Sequence, residues 1–224
     1  MKKEYYNSSL FMGMKESEIE DCLKCSHARI VERTKGSFVF DETTNPEKLY
    51  MLVSGEVSVG RYTSAGNKII VTTFQEPGEL FGEVFLFLPQ NRYDYYAELK
   101  ETSKVMEIPK SFFYQRCEQG CGHHDKLINN MFSILAGKAY FLNKKMEILS
   151  GSGLRQKIAR FVEQKSQGKA EVKLTMKREE LADFLGTTRP SLSRELMNMQ
   201  QEGILLVKKD LITVLNTEYL EELI

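Results

Sequence analysis

The sequence predicts an α+β protein in three parts: a small antiparallel β-barrel or sandwich, a long helix, and a helix-turn-helix followed by a β-hairpin wing. Three observations support this. Short apolar runs recur at roughly 10-residue intervals in the first half, a heptad repeat follows, and two short amphipathic helices meet at a glycine near the end. We place the boundaries of the three parts at residues 1–122, 123–151 and 152–224.

In the N-terminal part, the sequence pattern changes from helix-like to strand-like at Gly36. Before it, residues 8–27 carry apolar side chains at three- and four-residue steps, which predicts a short helix. After it, short β-like runs alternate with turn signals, and no segment of helical length lies among them. The runs cover residues 37–40, 49–53, 57–62, 68–74, 95–99 and 104–108. This pattern is typical of an antiparallel sandwich or barrel, whose mouth can hold a small ligand.

A heptad repeat occupies residues 127–149. Two apolar series recur seven residues apart: Ile128, Leu135, Leu142 and Leu149, and Phe132, Ala139 and Met146. A lone amphipathic helix packed on its own barrel would be one explanation. Regular heptads favour self-association, so we predict a homodimer with this seam as its interface. The run Ser150-Gly151-Ser152-Gly153 then interrupts the helix and predicts a hinge.

The helix-turn-helix is predicted over residues 177–202. The first helix has an apolar face and ends at Gly186, where a permissive backbone is needed. Thr188 suits the N-cap of the second helix, and Pro190 falls in its first turn. The buried side of the second helix would carry Leu192, Leu196 and Met199.

The outward side of the second helix then carries Arg189, Ser191, Ser193 and Arg194. An arginine fork matches guanine O6 and N7, whereas hydroxyl groups suit phosphate oxygens. A helical hairpin with a solvated charged face is the alternative interpretation. These residue types at these positions favour DNA reading.

Two apolar runs follow, at residues 203–207 and 211–215, with Lys208 and Lys209 in the turn between them. They predict a β-hairpin whose tip carries two lysines. A helix-turn-helix with such a wing is typical of a DNA-binding module, and the tip can reach the DNA backbone.

Composition limits the possible functions. The 224 residues are 42% hydrophobic and 28% charged with zero net charge, which argues against a protein that binds polyanions over its whole surface. Residues 152–210 carry 12 basic against 8 acidic residues, whereas residues 1–122 carry 15 against 18. Positive charge therefore collects at the predicted DNA-binding segment.

Neither a membrane protein nor an enzyme is expected. No apolar run approaches the ~20 residues of a membrane span, and the first residues lack an apolar signal core, so we expect a cytoplasmic protein without a membrane partner. No Ser/His/Asp constellation, phosphate-cradling glycine loop or pair of acid/base carboxylates is apparent.

Cys117, Cys121 and His124 stand four and three residues apart before the long helix. On one helical face they could share a transition-metal ion or act as a redox sensor. The alternative is packing, because Cys121 falls in the same heptad position as Ile128 and a buried cysteine behaves as a small hydrophobe.

The order of parts, with Leu80-Phe81-Gly82-Glu83 in the barrel and residues 188–195 (TRPSLSRE) in the second helix, resembles the Crp/Fnr family of bacterial transcription regulators. The resemblance spans nearly the whole chain and is most specific at Arg189 and Arg194, which match the family's arginines five positions apart. It implies that the barrel is a cyclic-nucleotide-binding-like jelly roll. It also implies a homodimer that binds a palindromic promoter site and contacts RNA polymerase when a small-molecule effector is sensed in or near the barrel.

The resemblance also implies residue roles. Arg189 and Arg194 would contact base edges, and Thr188 and Ser191 would contact phosphates. Pro190 stands where the family's catabolite activator has a glutamate that can accept from cytosine, so the target sequence should differ. Iron–sulfur ligation, as in the family's oxygen sensors, would need more than Cys22 and Cys25. A thiol oxidoreductase built on that pair lacks a βαβ context.

The sequence departs from the family at a second place, the predicted effector pocket. Gly82 and Glu83 match the cyclic-nucleotide cassette, but Tyr93 and Asp94 replace its phosphate-binding Arg-Ser pair, and Arg92 is the nearest arginine. A carboxylate facing a phosphate repels it, the more so in a partly buried pocket. We therefore expect an effector other than cyclic AMP, and neither the effector nor any cofactor can be identified from the sequence.

Overall fold

A computed structural model describes residues 3–89, 91–114, 122–166 and 168–224. The chain divides into two compact units, Met1–Ala136 and Gly137–Ile224. This division falls inside the long helix. The predicted boundaries at residues 122 and 151 do not coincide with this division, and the three functional parts stay a prediction.

The N-terminal unit begins with two short 3-10 turns, Glu4–Asn7 and Ser9–Phe11, and then helix α1, Glu16–Cys25. The predicted helix over residues 8–27 is thus broken into two pieces. Gly13, with a φ of +71°, lies at the break. The first piece is held by tertiary contact, because the Ser8 hydroxyl donates to the Gly78 carbonyl at 2.6 Å.

Every predicted β-run of the N-terminal unit forms a strand. The strands are β1 Arg29–Arg33, β2 Phe38–Phe40, β3 Lys48–Ser54, β4 Val57–Tyr62, β5 Lys68–Phe74, β6 Leu80–Phe81, β7 Tyr96–Leu99 and β8 Ser103–Pro109. Strands β1 and β6 were not predicted. β1 is polar at most of its positions, and β6 has two residues, so neither carries a periodic signal.

Among the described residues these strands form two four-stranded antiparallel sheets, in the orders β1-β8-β3-β6 and β2-β7-β4-β5. An apolar cluster joins residues of both sheets with Phe85 and Tyr93, which lie outside the strands; its strand members are Val39, Phe40, Tyr50, Leu52, Val57, Phe81, Ala97, Leu99 and Val105. A short helix, α2 Glu83–Phe87, lies between β6 and β7. Our prediction of an antiparallel barrel or sandwich is confirmed, with two facing sheets and the addition of this helix.

Two further helices follow, α3 Ser111–Tyr114 and α4 Gly122–Leu149. Near its start α4 buries Leu127 and Met131 in a core shared with α1. The predicted seam is a different stripe. Phe132, Ala139, Leu142 and Met146 are exposed, and Ile128, Leu135 and Leu149 are partly buried. The helix therefore packs mainly through residues outside the heptad seam, so the alternative, in which the seam itself packs on the barrel, is not supported, and much of the apolar seam remains exposed.

The C-terminal unit contains the remaining elements: α5 Leu154–Ser166, β9 Glu171–Lys173, α6 Arg178–Phe184, α7 Arg189–Gln201, β10 Leu205–Lys208, β11 Leu211–Val214 and α8 Thr217–Glu222. β10 and β11 form the predicted hairpin, and β9 pairs with β11 on its other side. The break between α4 and α5 coincides with the predicted Ser/Gly segment. In the described part of the chain, no helix has the length and apolar character that a membrane span requires.

Candidate nucleic-acid interface

The turn between α6 and α7 is built by local hydrogen bonds. The Lys177 backbone N–H donates to the Glu180 carboxylate at 2.8 Å and fixes the start of α6. Gly186, with a φ of +66°, lets the chain turn away, and the Thr187 N–H donates back to the Ala182 carbonyl at 2.9 Å. The predicted glycine turn is therefore confirmed.

Helix α7 starts as the sequence predicts. The Thr188 hydroxyl accepts from the Ser191 N–H at 3.4 Å and donates to the Ser191 hydroxyl at 2.9 Å. Pro190 occupies the first turn, where its missing N–H costs nothing. Leu192, Leu196 and Met199 are buried in the core of the C-terminal unit. This packing fixes which side of α7 faces outward.

The predicted reading residues all lie at the surface. Thr188, Arg189, Ser191, Ser193 and Arg194 are exposed. Within the described ranges, no acidic side chain forms an ion pair with either arginine. Their guanidinium groups are consequently available to an external acceptor such as guanine O6 and N7.

A group of ion pairs that we did not predict connects α5 to α7. The Arg155 Nε donates to Glu195 at 2.6 Å, and its two terminal nitrogens donate to the two carboxylate oxygens of Glu202 at 2.7 Å each. The guanidinium lowers the pKa of Glu202, and the two carboxylates raise the pKa of Arg155. Glu195 and Glu202 lie seven residues apart, which brings the two carboxylates to one helical face but does not identify Arg155 as their partner.

The tip of the wing is also supported. Arg178, at the start of α6, donates to the Lys209 carbonyl at 3.2 Å, and burial lowers the pKa of this arginine. Lys209 adopts a φ of +35° in the turn. Lys208 and Lys209 are exposed, as a contact with the DNA backbone requires.

The five predicted effector-pocket residues differ in their burial. Gly82 has a φ of +78°, and a Cβ there would lie 3.2 Å from the Phe40 ring. Glu83 is buried at the start of α2. Arg92 and Asp94 are exposed, whereas Tyr93 between them is 1% exposed.

Tyr93 fills the interior of the sandwich. Its ring stacks on Phe40 with centroids 3.9 Å apart and meets the edge of Phe85 at 5.1 Å. Burial raises the pKa of Tyr93 and raises that of nearby Tyr50 to about 12. The position that the sequence resemblance assigns to phosphate binding therefore carries an uncharged aromatic residue in an apolar cluster.

Of the three candidate metal or redox residues, Cys117 and Cys121 lie outside the described residues. His124 is buried, and its ring centroid lies 4.4 Å from that of Phe112. Its Nδ1 has no hydrogen-bond partner among the described residues. No group of three or more His, Cys, Asp or Glu side chains in that part of the chain could hold a metal ion. Cys22 is buried and Cys25 partly buried beside α4.

Comparison with known proteins covers both units. The family model for the cyclic nucleotide-binding domain matches residues 30–119, and the model for the Crp-like helix-turn-helix domain matches residues 156–223. The fumarate and nitrate reduction regulatory protein of Escherichia coli K12 is 28% identical over 205 residues, covering 87% of this chain and 79% of the relative. Its counterpart in Vibrio cholerae is 29% identical over 206 residues, covering 87% and 80%.

Among solved structures, the catabolite activator protein of Thermus thermophilus superposes with a TM-score of 0.55 at 23% identity, covering 96% of this chain and 98% of that one. At this identity the similarity supports the fold. The sandwich, the long helix and the winged helix-turn-helix thus follow one another along the chain in a known fold.

Proposed function

This chain belongs to the Crp/Fnr family of transcriptional regulators, and from that premise we propose that it acts as a homodimer on a palindromic DNA site, controlled by an effector sensed in or near the β-sandwich. The matched relatives are named as regulatory proteins rather than as enzymes. Contact with RNA polymerase is part of the proposal by family analogy, without assigned residues.

The observation that carries the proposal is the polarity of α7. Its inner side is packed into the core, so Arg189 and Arg194 are held on the outer side of the first two turns. The N-terminal residues of a recognition helix are the ones that contact base edges in the major groove. Ser191 and Ser193 on the same helix, and Lys208 and Lys209 in the wing, are exposed and suit phosphate oxygens.

The apolar surface of α4 supports the homodimer. Leu142 is 57% exposed and Met146 67% exposed, and Phe132 lies on the same heptad seam. Exposed residues of this size along one stripe are stabilised when a second copy covers them. Two chains related by a twofold axis would present two α7 helices to half-sites about 34 Å apart.

The interior of the sandwich supports an effector other than cyclic AMP. Tyr93 stands in place of the family's arginine and stacks on Phe40, and the neighbouring charged side chains, Arg92 and Asp94, are exposed. An anionic cyclic phosphate would find no buried cation at this position. Redox or metal sensing through Cys117, Cys121 and His124 stays a prediction, and the contact of His124 with Phe112 favours packing for that residue.

The proposal is tested by selecting fragmented genomic DNA on the purified full-length protein. We expect one palindromic motif whose affinity falls steeply with salt, because phosphate contacts release counterions. Sedimentation velocity should give a dimer of the 25.8 kDa chain. Enrichment of no common motif would contradict DNA reading, and a monomer at micromolar concentration would contradict the dimer.

A further inference from the structure

Met197 is an exposed apolar residue in a helix that buries its other large apolar side chains. It is 60% exposed, whereas Leu192, Leu196 and Met199 are at most 4% exposed. Leaving a methionine in water forgoes the stabilisation that its burial would provide. The fold of the C-terminal unit therefore gives no reason for a methionine at this position.

Met197 lies on the same outward side of α7 as Arg194, one of the proposed DNA-reading residues. Pro190, Arg194 and Met197 repeat the spacing of the three buried residues, displaced by two positions, and two positions are about 200° around a helix. These three residues therefore form one stripe opposite the core. Met197 lies about 4.5 Å along the helix axis beyond Arg194. A duplex contacted by Arg194 would pass close to Met197.

We propose that Met197 is a specificity-determining residue that contacts the C5-methyl group of a thymine in the major groove. This inference rests on the DNA-binding function proposed above. A thioether side chain has no N–H or O–H to donate to a phosphate. Of the groups that base pairs present in the major groove, the thymine methyl is the apolar one.

The side chain suits this contact. Methionine is unbranched and flexible, so its terminal methyl can reach a base edge from the third turn of α7, and its sulfur is polarisable. Pro190, on the same stripe, adds a second apolar surface beside Arg194. The half-site should therefore carry a thymine close to the base pair that Arg194 contacts.

The experiment removes the methyl group and the side chain separately. In one half-site of the selected palindrome, each thymine in turn is replaced by deoxyuridine, which lacks the C5-methyl group. Dissociation constants are measured by fluorescence anisotropy at fixed salt for the wild type, Met197→Ala and Met197→Leu. For the wild type, we expect one replacement to weaken binding roughly fourfold, as loss of one buried apolar carbon predicts.

For Met197→Ala, the same replacement should change affinity by less than about 1.5-fold, whereas Met197→Leu should keep most of the wild-type response. Both variants should bind a scrambled duplex as the wild type does, which checks that they are folded. Equal responses of wild type and Met197→Ala at every thymine would overturn the inference while leaving DNA binding intact. A protein that selects no motif would overturn the proposed function itself, and this inference with it.

Discussion

The two units place their candidate functional residues in different ways. On α7, one continuous segment supplies both the buried and the outward residues, so helical periodicity alone decides which side chains face a ligand. In the sandwich, the candidate pocket draws on β6, α2 and the segment before β7, and Tyr93 enters the core while both neighbours are exposed. A surface site on one helix is set locally, whereas an interior site is set by whichever side chains fill the space.

The largest expected effect tests the interior of the sandwich. Tyr93→Ala should lower the free energy of unfolding of the N-terminal unit by about 3–5 kcal/mol, because it removes an aromatic ring that stacks on Phe40 and makes an edge contact with Phe85. Hydrogen exchange followed by peptide mass spectrometry would resolve the two units, and the C-terminal unit should keep its protection.

Asp94→Ala is the matched control for that variant, because the neighbouring side chain is exposed and should change stability by less than about 0.5 kcal/mol. Similar losses in the two variants would mean that Tyr93 does not occupy the core as described. If the Tyr93→Ala protein instead stays folded and binds a ligand that the wild type does not bind, the space that the ring occupies can serve as a pocket.

An intermediate effect is expected on the outer side of α7. Arg189→Ala should weaken binding to the selected site by about 1–3 kcal/mol and relax the preference at one base pair, because the side chain is exposed and its loss leaves the core unchanged. Fluorescence anisotropy at constant salt measures the affinity, and a repeated selection measures the preference. Lys165→Ala, which removes an exposed positive charge from α5, is the control. An unchanged base preference would exclude Arg189 from reading.

The smallest effect is expected from Arg155, which connects α5 to α7. Arg155→Met should lower the Tm of the C-terminal unit by about 2–5 °C at pH 7, because partly exposed ion pairs contribute little. The pKa of Glu202 is lowered by this arginine in the folded protein. The contribution is therefore present above the unfolded pKa of a glutamate, about 4.3, and is lost as the pH falls through the folded value.

Thermal melts of the wild type and Arg155→Met between pH 3 and pH 7 would measure how the stabilising contribution of Arg155 changes with pH. The gap between the two Tm values should be largest near pH 7 and narrow at the acid end of this range. A gap that is independent of pH would show that Arg155 acts by packing its aliphatic stem rather than by its charge.

The sequence-based predictions were accurate where the structure is set by neighbouring residues and less accurate where it depends on distant segments. Caps, turn glycine and apolar spacing are local signals, so α6, α7 and the wing were predictable at nearly residue level. The strands β1 and β6 depend on pairing with β8 and β3, and their own sequences lack periodicity. Arg155 reaches partners 40 and 47 residues away, which no local pattern encodes. The burial of Tyr93 likewise depends on rings contributed by distant segments.

The separation of roles around α7 has an evolutionary consequence. Arg194 and Met197 support neither the core nor the helix caps, so substitutions there leave the architecture of the C-terminal unit intact. Descendants of this regulator could acquire new promoters through single exchanges on that stripe. Diversification of the regulated gene set would then proceed faster than change in the scaffold.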